Sequence, residues 1–297
     1  MTRVLTGGVA VVDMVFRMQE MPTRAEKYRA QDARIVGGGC AANAAVAIAR
    51  LGGQATLAAR LGDDAIADII LNDLRAENVN VDFVHRASGG KSSFSSIYID
   101  AEGERQIMNF RGSGLIQDAD WLDPDINSDA ILADNRWPEM TIKLMAMARA
   151  QNIPGIVDAE EPINLESLEQ ATHIAFSRQG LCALTGEADL SMALKTARNK
   201  LLAWLCVTDG PAGVYFLEQD RVEHIPGFAV DVVDTLGAGD IWHGAFALRI
   251  AEGAGEPAAI EFANAAAAIK CTQYGGRAGC PHRDRTNNFL KENTTCN

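Results

Sequence analysis

Four short apolar runs fix the fold class: AILAD (130–134), GIVDA (155–159), HIAFS (173–177) and WLCVT (204–208). Each is too short to be a helix, and none shows the polar alternation of a strand with one wet face. Such strands must be covered on both sides. Helical patterns lie between them, the clearest at 141–151. Strands alternating with helices imply an α/β fold with a parallel sheet between two helical layers. The first half adds a strand over 3–13 that ends in the carboxylate of Asp13, and a second over 55–61. VGGGCAANAAVAIARLGG (36–53) joins them as a close-packing, alanine-rich helix with Gly52 at its stop. Further helices are expected at about 65–77 and over 256–271.

The stretch SSFSSIYIDAEGERQIMNF (92–110) is different. It alternates, turns at 100–103 and alternates again, which is a hairpin signal. Its polar-faced strands suit an appendage better than a central sheet.

Charge and composition narrow the function. A net charge of −12 leaves no basic surplus to displace the counterions of a nucleic acid. No apolar run is long enough to span a bilayer, and the N-terminus lacks the pattern of a secretory signal. Six cysteines, at 40, 182, 206, 271, 280 and 296, form no CxxC pair. Scattered thiols fit a reducing compartment, so a cytoplasmic location is expected. The five histidines give no HxxxH, which leaves metal hydrolysis without a ligand set.

Chemistry concentrates in VVDTLGAGDIWHGAFALRI (232–250). Residues 230–233 read as a strand end and 241–250 as a helix. Gly237, Ala238 and Gly239 then sit at a helix N-terminus, where free N–H groups and the helix dipole suit an anion. Asp240 follows at once. A carboxylate there is commonly an N-cap. Beside an anion cradle it can instead be the base that takes a hydroxyl proton during phosphoryl transfer. Neither a GxxxxGK[ST] loop nor a protein-kinase glycine loop occurs. His243, one turn after Asp240, reads as a packed or capping residue.

DTLGAGD (234–240) resembles the C-terminal signature of the PfkB/ribokinase family of carbohydrate kinases. VGGGCAANAAVAIARLGG resembles the family's sugar-binding segment. The two motifs lie in the family's order and the similarity runs over nearly the whole chain. It implies one ribokinase-like α/β domain over 1–297, with a central, mostly parallel sheet flanked by helices. A small β-sheet lid would come from about 14–35 and 90–112. It implies Asp240 as the catalytic base and Gly237, Ala238 and Gly239 as the anion hole. Asp13, Gly38, Gly39 and Asn43 would hold the sugar. Thr208, Gly210 and Gly213 of TDGPAG would lie beside the nucleotide phosphates, with Asn264 near the adenine. ATP with Mg2+ is the implied donor. Some members also bind a monovalent cation such as K+, here through Asp234 and Leu236 with the 271–279 loop. Relatives often pair through their lids, so a homodimer is expected.

The chain departs from the family pattern at one place. Where many members carry Asn-x-x-Glu before Leu-Thr-Gly, FSRQGLCALTG has Ser177 and Gly180. Metal handling must differ there, and Arg178 could reach phosphate or simply face water. For the substrate, EKY, NF, ADNRW and KCTQYGGRAGCP resemble the branch that contains 6-deoxy-6-sulfofructose kinase. Lys27, Asn109 and Arg136 are then the candidate grip on an anionic sugar end, with Arg111 nearby. A neutral ketohexose, ribose or fructose 6-phosphate stays open. Two other classes are a dinucleotide-dependent oxidoreductase, which lacks its GxGxxG, and a non-catalytic sugar-binding regulator.

Overall fold

The chain passes from one sheet to another within its first two strands. β1 (Arg3–Gly8) belongs to a large sheet and β2 (Val11–Arg17) to a small one. The computed structural model describes residues 1–102 and 104–294; Gly103 of the expected turn and Cys296 lie outside the described residues. The remaining elements are β3 (Asp32–Gly38), α1 (Cys40–Arg50), β4 (Gln54–Gly62), α2 (Ala65–Ala76), β5 (Asn80–Ala87), β6 (Phe94–Ile99) and β7 (Arg105–Phe110). After a long connection come β8 (Ala130–Asp134), α3 (Pro138–Gln151), β9 (Gly155–Ala159), β10 (His173–Ser177), α4 (Arg178–Thr185), α5 (Leu190–Arg198) and β11 (Trp204–Thr208). The chain ends with β12 (Val214–Glu218), β13 (Arg221–Ile225), α6 (Ala238–Ala251), α7 (Glu256–Cys271) and α8 (Arg283–Thr294).

The large sheet runs β13-β12-β11-β10-β9-β8-β1-β4-β5. Its pairs are parallel from β11 to β5, and an antiparallel hairpin, β12–β13, closes the other edge. Alternate residues feed two cores. Val4, Ala130, Leu132 and Ala175 face the layer of α1, α2, α6 and α7. Leu5, Ile131, Ala133 and Phe176 face that of α3, α4 and α5. This is the expected α/β architecture. The small sheet, β3-β2-β6-β7, is the separate second layer.

Two expected strands are corrected. The strand over 3–13 stops at Gly8, because the chain turns at Val9 and Ala10 to change sheets, so Asp13 sits within β2. Residues 230–233 form no strand. They leave the β13 edge, and the N–H groups of Val233 and Asp234 donate instead to the Cys271 carbonyl at 2.8 and 3.1 Å. The β12–β13 hairpin was not anticipated.

Small residues set how α1 meets α6. A Cβ on Gly244 would stand 2.5 Å from the Ala44 carbonyl oxygen and 3.0 Å from its Cα. The two helices therefore touch backbone to backbone, as glycine and alanine permit.

Asp134, at the tip of β8, fixes the sheet change. Its carboxylate accepts from the N–H groups of Val9 at 2.8 Å, Ala41 at 3.1 Å and Arg136 at 3.0 Å. Burial nevertheless raises its pKa to about 6 from an ordinary 3.8. The fold thus favours the neutral carboxyl, and this contribution is full at low pH and lost as pH rises through that window. At about 1.4 kcal/mol per pKa unit the swing is about 3 kcal/mol. The unfolding free energy of the wild type minus that of Asp134→Asn should fall between pH 3.8 and about 6 and level off above. Urea denaturation across that range checks it, and a flat difference refutes it.

Candidate active site

The N-termini of α1 and α6 converge beside the ends of β8 and β9. Gly39 caps α1 with φ 92°, and a Cβ there would strike the Val9 carbonyl. Only glycine fits this position. Gly38 is equally tight, since its missing Cβ would lie 2.7 Å from Asp13 Oδ2. Burial raises the Asp13 pKa, the Ser95 hydroxyl and Arg277 oppose it, and the Asp240 charge adds to it. Asp13, Gly38 and Gly39 thus belong to one neighbourhood with Asp240.

Gly237, with φ 74°, caps α6 and puts Asp240 in its first turn. Asn43, from α1, donates its Nδ2 to Asp240 Oδ2 at 2.6 Å. The Asn43 Oδ1 is buried and has no protein partner among the described residues, which leaves an acceptor for a ligand hydroxyl. The Ala238 N–H donates to the Thr235 carbonyl at 3.2 Å. Among the described residues no protein acceptor faces the N–H groups of Gly237, Gly239 or Asp240. A Cβ on Gly239 would meet nothing within 4 Å, so the space beside it is open.

Burial raises the Asp240 pKa, with Glu160 adding to it while Asn43, His243 and Cys40 oppose. Asp158, at the end of β9, is pushed well above the usual carboxylate range by burial and by the neighbouring Glu160, Asp240 and Asp134. Cys40, Asp158 and Asp240 offer ligand atoms within 4.8 Å of one another. His243 Nδ1 lies 2.8 Å from the Gly239 carbonyl, and its Nε2 lies 3.4 Å from Asp158 Oδ1. Burial lowers the His243 pKa. The imidazole is then neutral, its Nδ1–H donating to Gly239 and its other nitrogen facing the Asp158 carboxyl. His243 is packed, as expected.

A cavity of about 600 Å³ reaches this cluster at Cys40. Asn109, Arg111 and Arg136 line it together with Arg60 and Trp137. The Asn109 Nδ2 donates to Ser95 Oγ at 3.1 Å. Arg136 pairs with Glu160 and donates to the Glu161 carbonyl at 2.8 Å. Arg60 stacks on Trp137, 4.3 Å from the ring centroid. Lys27 does not join them. It is exposed on the loop after β2, which curls on itself as Tyr28 Oη accepts the N–H groups of Thr23 and Arg24 at 3.1 and 3.0 Å.

At the end of β11, Thr208, Gly210 and Gly213 form a turn. Gly210 has φ 52° and Gly213 φ 97°, and the Asp209 N–H donates to the Gly213 carbonyl at 2.8 Å. Arg178 makes a bidentate pair with Asp209 at 2.6 and 2.5 Å, so it is partnered rather than free in water. The Asn264 amide accepts from Trp242 Nε1 at 2.8 Å and donates to the Pro226 carbonyl at 3.1 Å. It braces α6 against the β13 exit, and each end of its amide keeps one further hydrogen-bonding position.

The expected monovalent cation site is corrected. The Asp234 carboxylate accepts N–H groups from Leu236 at 2.9 Å and from Gly275 and Gly276 at 3.0 Å. Its carbonyl accepts from Lys270 Nζ at 2.6 Å. Asp234 and Leu236 therefore meet a protein cation and protein amides, and do not fit K+.

Sequence reasoning missed Asp134, Asp158, Glu160, Arg60, Lys270 and Arg277. Asp134 ends AILAD and Asp158 is one residue short of the end of GIVDA, and a carboxylate near the carboxyl end of a parallel strand is a usable signal. Arg277 is buried, pairs with Asp73 and fills the space over Gly37.

Ser177 and Gly180 show why the usual glutamate is absent. The Ser177 Oγ caps α4 by accepting the Gly180 N–H at 3.1 Å. A Cβ on Gly180 would collide with the Ala159 carbonyl and lie 3.3 Å from Glu160 Cα. Gly180→Ala should destabilise the protein by about 1–3 kcal/mol through overpacking, measured by thermal or urea unfolding. Unchanged stability would show that β9 and α4 can part easily.

The "pfkB family carbohydrate kinase" model matches residues 1–283. The chain is 30% identical over 290 residues to a ribokinase of Bacillus subtilis, covering 95% of this chain and 97% of that protein. The crystal structure of a candidate ribokinase from Agrobacterium tumefaciens superposes with a TM-score of 0.93 at 36% identity, over 100% of this chain and 99% of that one. Arabidopsis thaliana ribokinase, solved with ribose and ATP, superposes with a TM-score of 0.89 at 23% identity, over 98% and 99%. With two of its motifs meeting at Asp240 and this breadth of similarity, the chain belongs to the pfkB family of carbohydrate kinases.

Proposed function

We propose that the protein is an ATP-dependent sugar kinase acting on the terminal hydroxyl of a ketohexose-type sugar with an anionic end, 6-deoxy-6-sulfofructose being the leading acceptor. The observation that carries the anionic preference is the shared lining of one cavity by Arg60, Arg111 and Arg136. Guanidinium groups suit a tetrahedral oxyanion through paired N–H donors.

Asp240 takes the hydroxyl proton as the sugar oxygen bonds to the γ-phosphorus and the bond to the ADP oxygen breaks. Asn43 orients that carboxylate. The N–H groups of Gly237 and Gly239 stabilise charge on the moving phosphoryl group. Asp13, Gly38, Gly39 and Asn43 hold the sugar hydroxyls, and the turn of Thr208, Gly210 and Gly213 receives the nucleotide. Magnesium fits the hard oxygen donors of Asp158 and Glu160, which lie beside Asp240. Bound with ATP it would neutralise phosphate charge. The small sheet acts as a lid that excludes water. Its exposed Ile35, Ile107 and Met108, at 60%, 60% and 69%, support pairing of two copies through it.

A neutral sugar such as ribose is the second reading, favoured by the names of the relatives. ATP turnover with Mg2+ over ribose, fructose, fructose 6-phosphate and 6-deoxy-6-sulfofructose separates the readings. The sulfonated sugar should give the highest kcat/KM, and a clear preference for ribose removes the anionic assignment. Sugar-dependent ADP release excludes the non-catalytic regulator. Arg111→Ala should raise KM for the sulfonated sugar about 10- to 100-fold and change that for fructose little; equal losses on both sugars count against the anion grip.

Asp240→Asn should keep sugar binding and lower kcat by about 10²–10⁴-fold. Asp240 works only when ionised and its pKa is raised, so activity should fall with acid through a pKa above the ordinary 3.8. A pH–rate profile that stays flat down to that value contradicts the assignment.

A further inference from the structure

Lys270, in the last turn of α7, has a fully buried side chain at 0% exposure. Burial lowers its pKa and Asp234 raises it back. Its Nζ donates to the Asp234 carbonyl at 2.6 Å and stands 3.3 Å from Asp234 Oδ2. Arg105, from β7, brings a second cation within 3.8 Å of the other carboxylate oxygen. The same carboxylate gathers amides from both sides, Leu236 ahead of the Gly237 turn and Gly275 and Gly276 after α7. One buried ion pair therefore ties the segment that enters the anion-binding turn to the loop that follows α7.

We infer that the Lys270 ammonium is a tethered monovalent cation, and that this chain needs no dissolved K+ to hold its phosphoryl-binding turn. An ammonium head has the charge and roughly the size of a potassium ion. It already occupies the carbonyl oxygen and flanks the carboxylate that such an ion would need. A free cation would also face two fixed positive charges around a single carboxylate, and like charges at this range repel. Removing Lys270 should do the reverse, leaving a buried carboxylate beside an unfilled gap of cation size. Lys270 is a positioning residue, since it acts through Asp234 and the turn.

The activity arm of the test rests on the kinase reading, and the stability arm does not. Wild-type protein is compared in potassium chloride and in tetramethylammonium chloride at equal ionic strength, the latter ion being too large for the gap. Its thermal midpoint should be the same in both, and its sugar-kinase rate should differ by less than about two-fold. Lys270→Ala should melt at lower temperature and regain part of that loss, and part of its rate, with potassium only. A wild-type midpoint or rate that rises several-fold or by several degrees with potassium overturns the inference, with no need for a folded variant. A folded Lys270→Ala protein indifferent to potassium overturns it too. Absence of turnover on every sugar in both salts would instead defeat the kinase reading and leave the thermal comparison to decide.

Discussion

The carboxylate of Asp134 is the contact on which the site depends. It stands at the tip of β8 and receives N–H groups from the link between the sheets, from the first turn of α1 and from its own following loop. Through Val9 it sets where the chain leaves the large sheet. Through Ala41 it sets where α1 begins, and so where Asn43 reaches Asp240. A buried carboxylate with three amide donors is expensive to desolvate yet directional. That direction joins the two sheets to one helix start.

Around it lies a concentration of acid that stability alone would not select. Asp134, Asp158 and Asp240 all have raised pKa values from burial, and Glu160 adds its charge to Asp158 and Asp240. Desolvated groups of like charge in one place are the mark of a functional site. The neighbouring cavity is lined by the guanidinium groups of Arg60, Arg111 and Arg136. Arg136 ties the two regions together through its pair with Glu160.

Much of this was legible in the chain. The runs AILAD, GIVDA, HIAFS and WLCVT became strands at those places because largely apolar segments too short for a helix are stable here only as covered strands. Gly237 became a helix start because its φ of 74° favours glycine, and Gly239 leaves the space beside it open. What stayed hidden depended on tertiary partners. RVLTGGVAVVD reads as one strand because both sheets use the same alternation, and the break at Val9 and Ala10 carries no proline. The partner of Asn264, Trp242, was hidden because it lies on another helix. Lys270 ends an alanine-rich helix and looks like ordinary surface charge until Asp234 is folded against it. VYFLEQDRVEHI does alternate around a turn, and its hairpin could have been read from that.

The backbone contact of Gly244 with Ala44 bears on how the pocket can open. Two helices that meet without intervening side chains have no layer of flexible groups along which to slide. Asn43 and Asp240 are therefore mounted on a single rigid block. On the kinase reading, admission and release of ligands would fall to the sheet of β2, β3, β6 and β7, while Asp240 stays with the block.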